Sequence, residues 1–185
     1  MHMKKQTYSE AIPARISTPI SLTTLVQAAM IAAIYVVLTF IANAFGLANY
    51  AVQVRFSEAL TILPYFTPAA IPGLFIGCLL SNVLTGCALP DIIFGSLATL
   101  LGALGTYALR RWKWCAPVCP IAANTIIVPL VLIYGYGLMI DGMSVLQCFG
   151  YYCLTVGAGE IISCGILGMI LLLSLQKYQG RIFNR

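Results

Sequence analysis

Charged side chains are scarce in this sequence. Only 8% of its 185 residues are Asp, Glu, Lys or Arg, whereas 61% are hydrophobic. A soluble domain carries roughly 25% charged residues, so this composition cannot build a surface that faces water. Together with a mean hydropathy of +0.95, the shortage of charge argues against a soluble enzyme or binding domain and predicts an integral membrane protein.

Residues and motifs that catalysis would need are also missing. The single histidine is His2, near the N-terminus. The sequence contains no H-E-x-x-H, G-x-S-x-G or G-x-x-x-x-G-K-[ST] motif, so it predicts no metalloprotease or hydrolase site and no P-loop for ATP. The seven cysteines lie mostly inside apolar runs, where they are interpreted as small apolar side chains. We therefore expect a protein that is not an enzyme and holds no metal or cofactor, and any energy for transport would come from a partner or an ion gradient.

Basic residues fall in three groups, and their positions predict the topology. Cytoplasmic loops carry such charge, so an even number of spans must separate the groups. Prolines in LPYFTPAAIP break a helix and divide residues 56–88 into a short span and a further one. Six spans with both termini cytoplasmic follow. Nine of the ten basic residues lie in these groups, which are Lys4, Lys5 and Arg15; Arg110, Arg111 and Lys113; and Lys177, Arg181 and Arg185.

The predicted fold is an all-α, six-transmembrane-helix bundle that forms one membrane domain over residues 1–185. The first apolar run is about twice as long as the 7–15 residues of a signal-peptide core, so we interpret it as a span. An external loop is predicted at 43–55, and the spans are predicted at 18–44, 56–66, 69–87, 91–110, 117–137 and 146–176.

Few polar residues remain to form a site. Glu160 lies inside the predicted sixth span and Asn124 inside the fifth, while Arg55, Glu58 and Asp91 lie at external ends of spans. An ionisable group in hydrocarbon costs at least ~2.5–3.5 kcal/mol, so Glu160 is the strongest binding candidate, the alternative being a protonated structural glutamate. Arg55 and Glu58 could simply pair with each other, and Asp91 could cap a helix. Acids at one external mouth favour capture of a small polar or cationic solute.

Four long segments carry a resemblance to a known family. They are VQVRFSEALTILPYFTPAAIPGLFIGCLLSN, ALPDIIFGSLATLLGALGTYALRR, PIAANTIIVPLVL and VGAGEIISCGILG. These segments resemble the QueT-type queuosine-precursor transporters, which are substrate-binding (S) components of energy-coupling factor (ECF) transporters. The resemblance implies an ECF-type ABC importer in the cytoplasmic membrane, in contact with lipid but not with nucleic acid. It also implies a transmembrane coupling (T) component and two cytoplasmic ATPases as partners.

The same resemblance implies a ligand, and the chemistry of that ligand suggests roles for individual residues. The ligand would be 7-cyano- or 7-aminomethyl-7-deazaguanine, whose guanine-like edge offers two adjacent donors to one carboxylate. Glu58 and Glu160 are the first candidates for that carboxylate, and Asp91 is the next candidate. Arg55 or Asn124 would donate to the ring carbonyl. A tyrosine would stack on the heterocycle, and the candidates for it are Tyr50, Tyr151 and Tyr152.

Alanines in the first predicted span are candidates for contact with a partner protein. Ala28 and Ala32, and likewise Ala29 and Ala33, lie four residues apart, a spacing that lets another helix approach closely. The resemblance implies that these alanines contact the coupling subunit, whereas packing inside the bundle is the structural alternative.

Three other functions stay open. The protein could be an S component for another vitamin or nucleobase. It could be a stand-alone secondary transporter or small channel that works without ATPases, driven by protons through Glu160. An intramembrane enzyme is the least supported, because the sequence offers no nucleophile with a base.

Overall fold

In the computed structural model, which describes residues 21–46 and 54–183, every regular element is helical. A 310 helix, Phe56–Tyr65, follows the first α-helix, and π-helical turns, Val131–Gly135 and Ile161–Leu167, continue the fourth and fifth. A short 310 turn, Lys113–Cys115, joins the third and fourth helices. The α-helices are α1 (Leu22–Ala44), α2 (Ala70–Leu84), α3 (Leu89–Ala108), α4 (Val118–Leu130), α5 (Val145–Glu160), α6 (Gly168–Gln176) and α7 (Gln179–Ile182).

Within residues 21–46 and 54–183, four helical segments are long and apolar enough to cross a membrane. They are Leu22–Ala44, Leu89–Ala108, Lys113–Gly135 and Val145–Gln176, and α2 is a shorter apolar helix. Large apolar side chains point outward along them; Leu154, for example, is 75% exposed. Outward-facing apolar side chains at this density suit a surface that faces lipid. The prediction of an all-α membrane protein is confirmed.

The Phe56–Tyr65 segment, which we call the central 310 helix, lies in the middle of the bundle. Eight of its ten residues are buried, and it packs against α1, α2, α3 and α6. The sequence predicted a short helix here but not its type. At about 2.0 Å per residue, ten residues of 310 helix extend ~20 Å, further than the same residues would in an α-helix. Pro64, which has no N–H to donate, lies in the last turn of this helix, which ends at Tyr65, and α2 begins at Ala70.

The two ends of the bundle are defined by side-chain contacts. At one end, Arg55 pairs with Asp91 at the start of α3. At the other end, the rings of Phe66 and Phe183 stack with centroids 5.1 Å apart, and Thr67 donates a hydrogen bond to Gln27 near the start of α1. We call these the Arg55 end and the Phe66 end.

Helices α1 and α2 pack closely through small residues. A Cβ added to Gly73 would lie 2.7 Å from the carbonyl oxygen of Ala28, and one added to Gly77 would lie 3.0 Å from Cα of Ala32. Ala28 and Ala32 therefore serve the contact inside the bundle. Ala29 and Ala33, the other two alanines predicted to meet a partner, face outward and are exposed.

Candidate functional site

A small polar cavity lies inside the apolar bundle, between the central 310 helix and helices α3, α4 and α5. Its volume is about 10 Å³, room for about one water molecule. Four of the residues predicted for binding come together here, so the sequence located the main part of this site. The cavity is lined by Arg55, Glu58, Gly95, Thr99, Asn124, Val128, Val156 and Glu160.

Glu58 is held by donors from two other helices. The hydroxyl of Tyr35 donates to its Oε1, and Nδ2 of Asn124 donates to its Oε2 across 3.4 Å. The side chains of Glu58, Tyr35 and Asn124 are 2%, 1% and 4% exposed, so water does not compete for these hydrogen bonds. Both carboxylate oxygens of Glu58 therefore already have a protein partner, which fixes the position of this side chain.

Tyr35 is the functional neighbour that sequence reasoning missed. It lies in the apolar helix α1, where a tyrosine is normally interpreted as an aromatic residue of the core. The sequence feature that could have pointed to Tyr35 is Thr39, one helical turn later. In the structure, the Thr39 hydroxyl donates to Ser57 across 2.9 Å. Two hydroxyl residues four apart form a polar stripe on one face of a helix, and this stripe faces the central 310 helix.

Glu160 retains most of its capacity to accept hydrogen bonds. It is the last residue of α5, is 7% exposed, and its Oε2 accepts from the thiol of Cys164 at 3.1 Å. A thiol is a weak donor. Small residues bring α5 close to α4 just before Glu160, since a Cβ added to Gly157 would lie 3.4 Å from Thr125. Of the two carboxylates that line the cavity, Glu160 has the greater acceptor capacity left for another molecule.

Three potential metal ligands meet at the same place. The ligand atoms of Glu58, Glu160 and Cys164 all lie within 4.8 Å of one another. Carboxylates with one thiolate suit a borderline divalent cation. The guanidinium of Arg55 lines the same cavity, and its fixed positive charge opposes a second cation nearby. The sequence did not suggest this group, because Cys164 was interpreted as an apolar side chain.

Asp91 belongs to the rim of the site. Its Oδ2 lies 3.9 Å from Nη2 of Arg55 and accepts a hydrogen bond from Tyr136 across 3.2 Å. The alternative in which Arg55 forms its ion pair with Glu58 is therefore not what the structure shows. Nor is Asp91 an N-cap, because that position belongs to Ala88. The carboxylate instead lies in the first turn of α3, where the helix dipole favours a negative charge.

Tyr136 connects the α4–α5 loop to the start of α3. Besides donating to Asp91, its oxygen accepts from the backbone N–H of Ala88 at 3.0 Å. Partial burial raises the pKa of Tyr136 to about 12, so its hydroxyl keeps its proton throughout the physiological range. The contribution of that proton to folding is fully present below pH ~10 and is lost between pH ~10 and ~12.

Replacing Tyr136 with phenylalanine is expected to lower the free energy of unfolding by about 0.5–1.5 kcal/mol, because two hydrogen bonds at the rim disappear. Thermal unfolding in detergent measures the effect. Tyr134→Phe is the matched control, since the side chain of Tyr134 is 73% exposed. Equal melting temperatures for the two variants would show that the rim contacts do not stabilise the bundle.

Two of the three predicted stacking tyrosines, Tyr151 and Tyr152, do not line the cavity. Tyr151 and Tyr152 lie in α5 and pack edge to face with centroids 5.6 Å apart, and Tyr151 is 40% exposed. They precede Glu160 by about two turns, or ~12 Å along the helix. Tyr50, together with most of the predicted 43–55 loop, lies outside the described residues.

The fold and the site define a multi-pass membrane protein that encloses a polar site between its helices, an arrangement typical of transporters. A family model described as "QueT transporter" matches residues 25–177. The chain therefore belongs to the QueT transporter family, and the resemblance seen in the sequence is confirmed.

A curated relative supports the same family. The queuosine precursor transporter QueT of Lactococcus lactis subsp. cremoris (strain MG1363) is 34% identical over 90 residues, which cover 48% of this chain and 53% of that protein. The match thus spans about half the length of the relative. No solved structure gives a significant match to the chain.

Proposed function

We propose that this protein is the S component of an ECF-type importer and captures a queuosine precursor, 7-aminomethyl- or 7-cyano-7-deazaguanine. The observation that carries the proposal is the convergence of Glu160, Asn124 and Arg55 on one cavity in a member of the QueT family. Together they offer a carboxylate acceptor, an amide and a cationic donor. This set complements a guanine-like edge, which presents two adjacent donors beside a carbonyl oxygen.

Glu160 is the carboxylate that we assign to the base edge. One ionised carboxylate accepts from the ring N–H and the exocyclic amine together, and such bonds are strongest where water is excluded. Glu58 already accepts from Tyr35 and Asn124, so its role is to fix the geometry and to keep negative charge beside the ligand. That charge favours the aminomethyl compound, whose ammonium group is positive. Arg55 donates to the ring carbonyl.

Ligand entry requires the cavity to widen. A volume of about 10 Å³ holds one water molecule, and a substituted bicyclic base is several times larger. The walls that can yield are apolar or small: Thr99 and Gly95 on α3, Val128 on α4 and Val156 on α5. Rotation of the Thr99, Val128 and Val156 side chains, or separation of α3 from α5, makes the space without breaking the hydrogen bonds of Glu58.

The topology in this proposal has six membrane passes, with the Arg55 end outside and both termini in the cytoplasm. The exposed alanines of α1, Ala29 and Ala33, supply a face on which a T component can pack closely. Two cytoplasmic ATPases complete the importer, since the sequence has no P-loop of its own. After capture at the Arg55 end, the S component tilts in the membrane, and ATP hydrolysis by its partners resets the complex.

Calorimetric titration of the purified protein tests the substrate. We expect saturable binding of one deazaguanine per protein, with guanine binding more weakly because it lacks the 7-substituent. Binding of a different vitamin or nucleobase, with no heat from either deazaguanine, would overturn the substrate assignment and favour an S component of other specificity.

Uptake by proteoliposomes tests the mechanism separately. We expect no accumulation by the isolated protein, whatever the proton gradient, and accumulation when the T component, ATPases and ATP are present. Proton-driven uptake by the isolated protein would overturn the importer assignment and favour a secondary transporter that uses Glu160.

A further inference from the structure

A turn rich in arginine and tryptophan joins α3 to α4. We call residues Arg110–Trp114, with the sequence RRWKW, the basic turn. Three of its five residues are cationic, and the other two are tryptophans that are 61% and 66% exposed. Neither the binding site nor the contacts that hold the bundle together use these side chains, which raises the question of what they contact.

The basic turn lies at the Phe66 end, far from the cavity. Helix α3 starts beside Arg55, as does the central 310 helix, and these two elements pack against each other. Both therefore run toward the Phe66 end. With 20 residues, α3 is ~30 Å long, about the thickness of a bilayer's hydrocarbon core. A turn at its end lies at the boundary between hydrocarbon and headgroups.

Two of the three cations of the basic turn, Arg110 and Lys113, lie over the faces of aromatic rings. The guanidinium carbon of Arg110 is 4.2 Å from the ring centroid of Tyr107, and Nζ of Lys113 is 5.3 Å from that of Trp114. A ring face attracts a cation without neutralising it. These contacts therefore hold the positive charge at the level of the aromatic side chains and leave its N–H donors available.

No acidic side chain balances this charge within residues 21–46 and 54–183. The ion pair in that part of the chain joins Arg55 to Asp91. Its other acids lie elsewhere: Glu58 and Glu160 at the cavity, and Asp141 in the loop between α4 and α5. Among the described residues, no acidic side chain therefore neutralises the positive charge of the basic turn.

We propose that the basic turn binds the headgroup of an anionic phospholipid. Arginine donates two parallel hydrogen bonds to a phosphate, and Arg110 and Arg111 are both exposed. Trp112 and Trp114 suit the layer between headgroups and acyl chains, where tryptophan is enriched. The two helices that the turn connects, α3 and α4, line the cavity through Gly95, Thr99, Asn124 and Val128, so a bound headgroup also restrains two of the helices that form the cavity wall.

The test uses the full chain in nanodiscs of phosphatidylcholine, with or without phosphatidylglycerol. We expect phosphatidylglycerol to raise the melting temperature and to stay bound in native mass spectrometry, and we expect high salt to weaken both effects. The variant Arg110→Gln/Arg111→Gln/Lys113→Gln should retain phosphatidylglycerol at least about tenfold less well, since each basic residue contributes to attraction by an anionic membrane. Asp141→Asn, a charge change in an exposed loop, is the control and should behave as the wild type.

The salt and lipid comparisons use the wild-type chain, so they test the proposal even if the triple variant folds poorly. Equal retention of phosphatidylglycerol by the wild type and the triple variant would overturn the proposal. So would a wild type that shows no preference between the two lipids. Binding of the T component or an ATPase that depends on the basic turn, without any lipid preference, would also overturn it and would assign the turn to a protein partner.

Discussion

Replacing Glu160 with glutamine is expected to weaken binding of 7-aminomethyl-7-deazaguanine by about 10- to 100-fold, because hydrogen bonds to a charged group contribute about 1.5–3 kcal/mol. Glutamine offers one acceptor and one NH₂ donor in place of two acceptor oxygens. Its NH₂ group would face a donor of the base edge. Titration calorimetry of the purified variant measures the loss. Asp141→Asn, which makes the same chemical change in an exposed loop, should bind as the wild type does.

A parallel Glu58→Gln variant decides which carboxylate contacts the ligand. Both oxygens of Glu58 already have protein donors. This variant should therefore lose less ligand affinity than Glu160→Gln does, and it should melt at a lower temperature than Glu160→Gln. The reverse result, in which Glu160→Gln binds normally and Glu58→Gln does not, would contradict the assignment. It would show that Glu58 accepts the hydrogen bonds from the base edge. If neither variant binds, comparison of their melting temperatures separates loss of fold from loss of contact.

Replacing Gly77 with leucine is expected to reduce the free energy of unfolding by about 3 kcal/mol or more, the upper range for overpacking a core. A Cβ at this position would lie 2.8 Å from Cβ of Tyr35 and 3.0 Å from Cα of Ala32. A leucine therefore forces α1 away from α2. Because the Tyr35 hydroxyl donates to Glu58, ligand affinity should fall together with stability.

Thermal unfolding in detergent measures this effect, and Gly150→Leu is the matched control. Gly150 lies in α5, is exposed, and has no neighbour within 4 Å of an added Cβ. Its replacement should leave the melting temperature unchanged or raise it slightly, since glycine is a poor helix former. A Gly77→Leu variant that melts with the wild type would show that α1 and α2 do not pack as closely as described.

The sequence predicted much of the site, because buried polar residues are costly in an apolar chain. Glu160 and Asn124 stand out inside apolar runs, and both line the cavity with Arg55 and Glu58. The roles of these residues were harder to predict. Whether Arg55 pairs with Glu58 or with Asp91 depends on where α3 begins in space, and no local pattern contains that information.

Other features depend on contacts between distant segments. Tyr35 becomes part of the site only because Gly77 lets α1 approach α2. The same approach turns Ala28 inward and leaves Ala29 outward, although both belong to the same alanine pattern. The composition predicted an all-helical membrane protein, but the 310 geometry of Phe56–Tyr65 reflects burial among several helices, which a hydropathy pattern does not encode.

The 310 geometry of the central helix has a consequence for how this segment tolerates insertions and deletions. A 310 helix has three residues per turn, so gaining or losing three residues changes its length but not the direction of the side chains beyond the change. A change of one or two residues rotates those side chains by about 120° or 240°, which would turn Glu58 away from Tyr35 and Asn124. An α-helix, with 3.6 residues per turn, has no such short exact repeat. Within this family, length variation inside the segment Phe56–Tyr65 is therefore expected in steps of three residues.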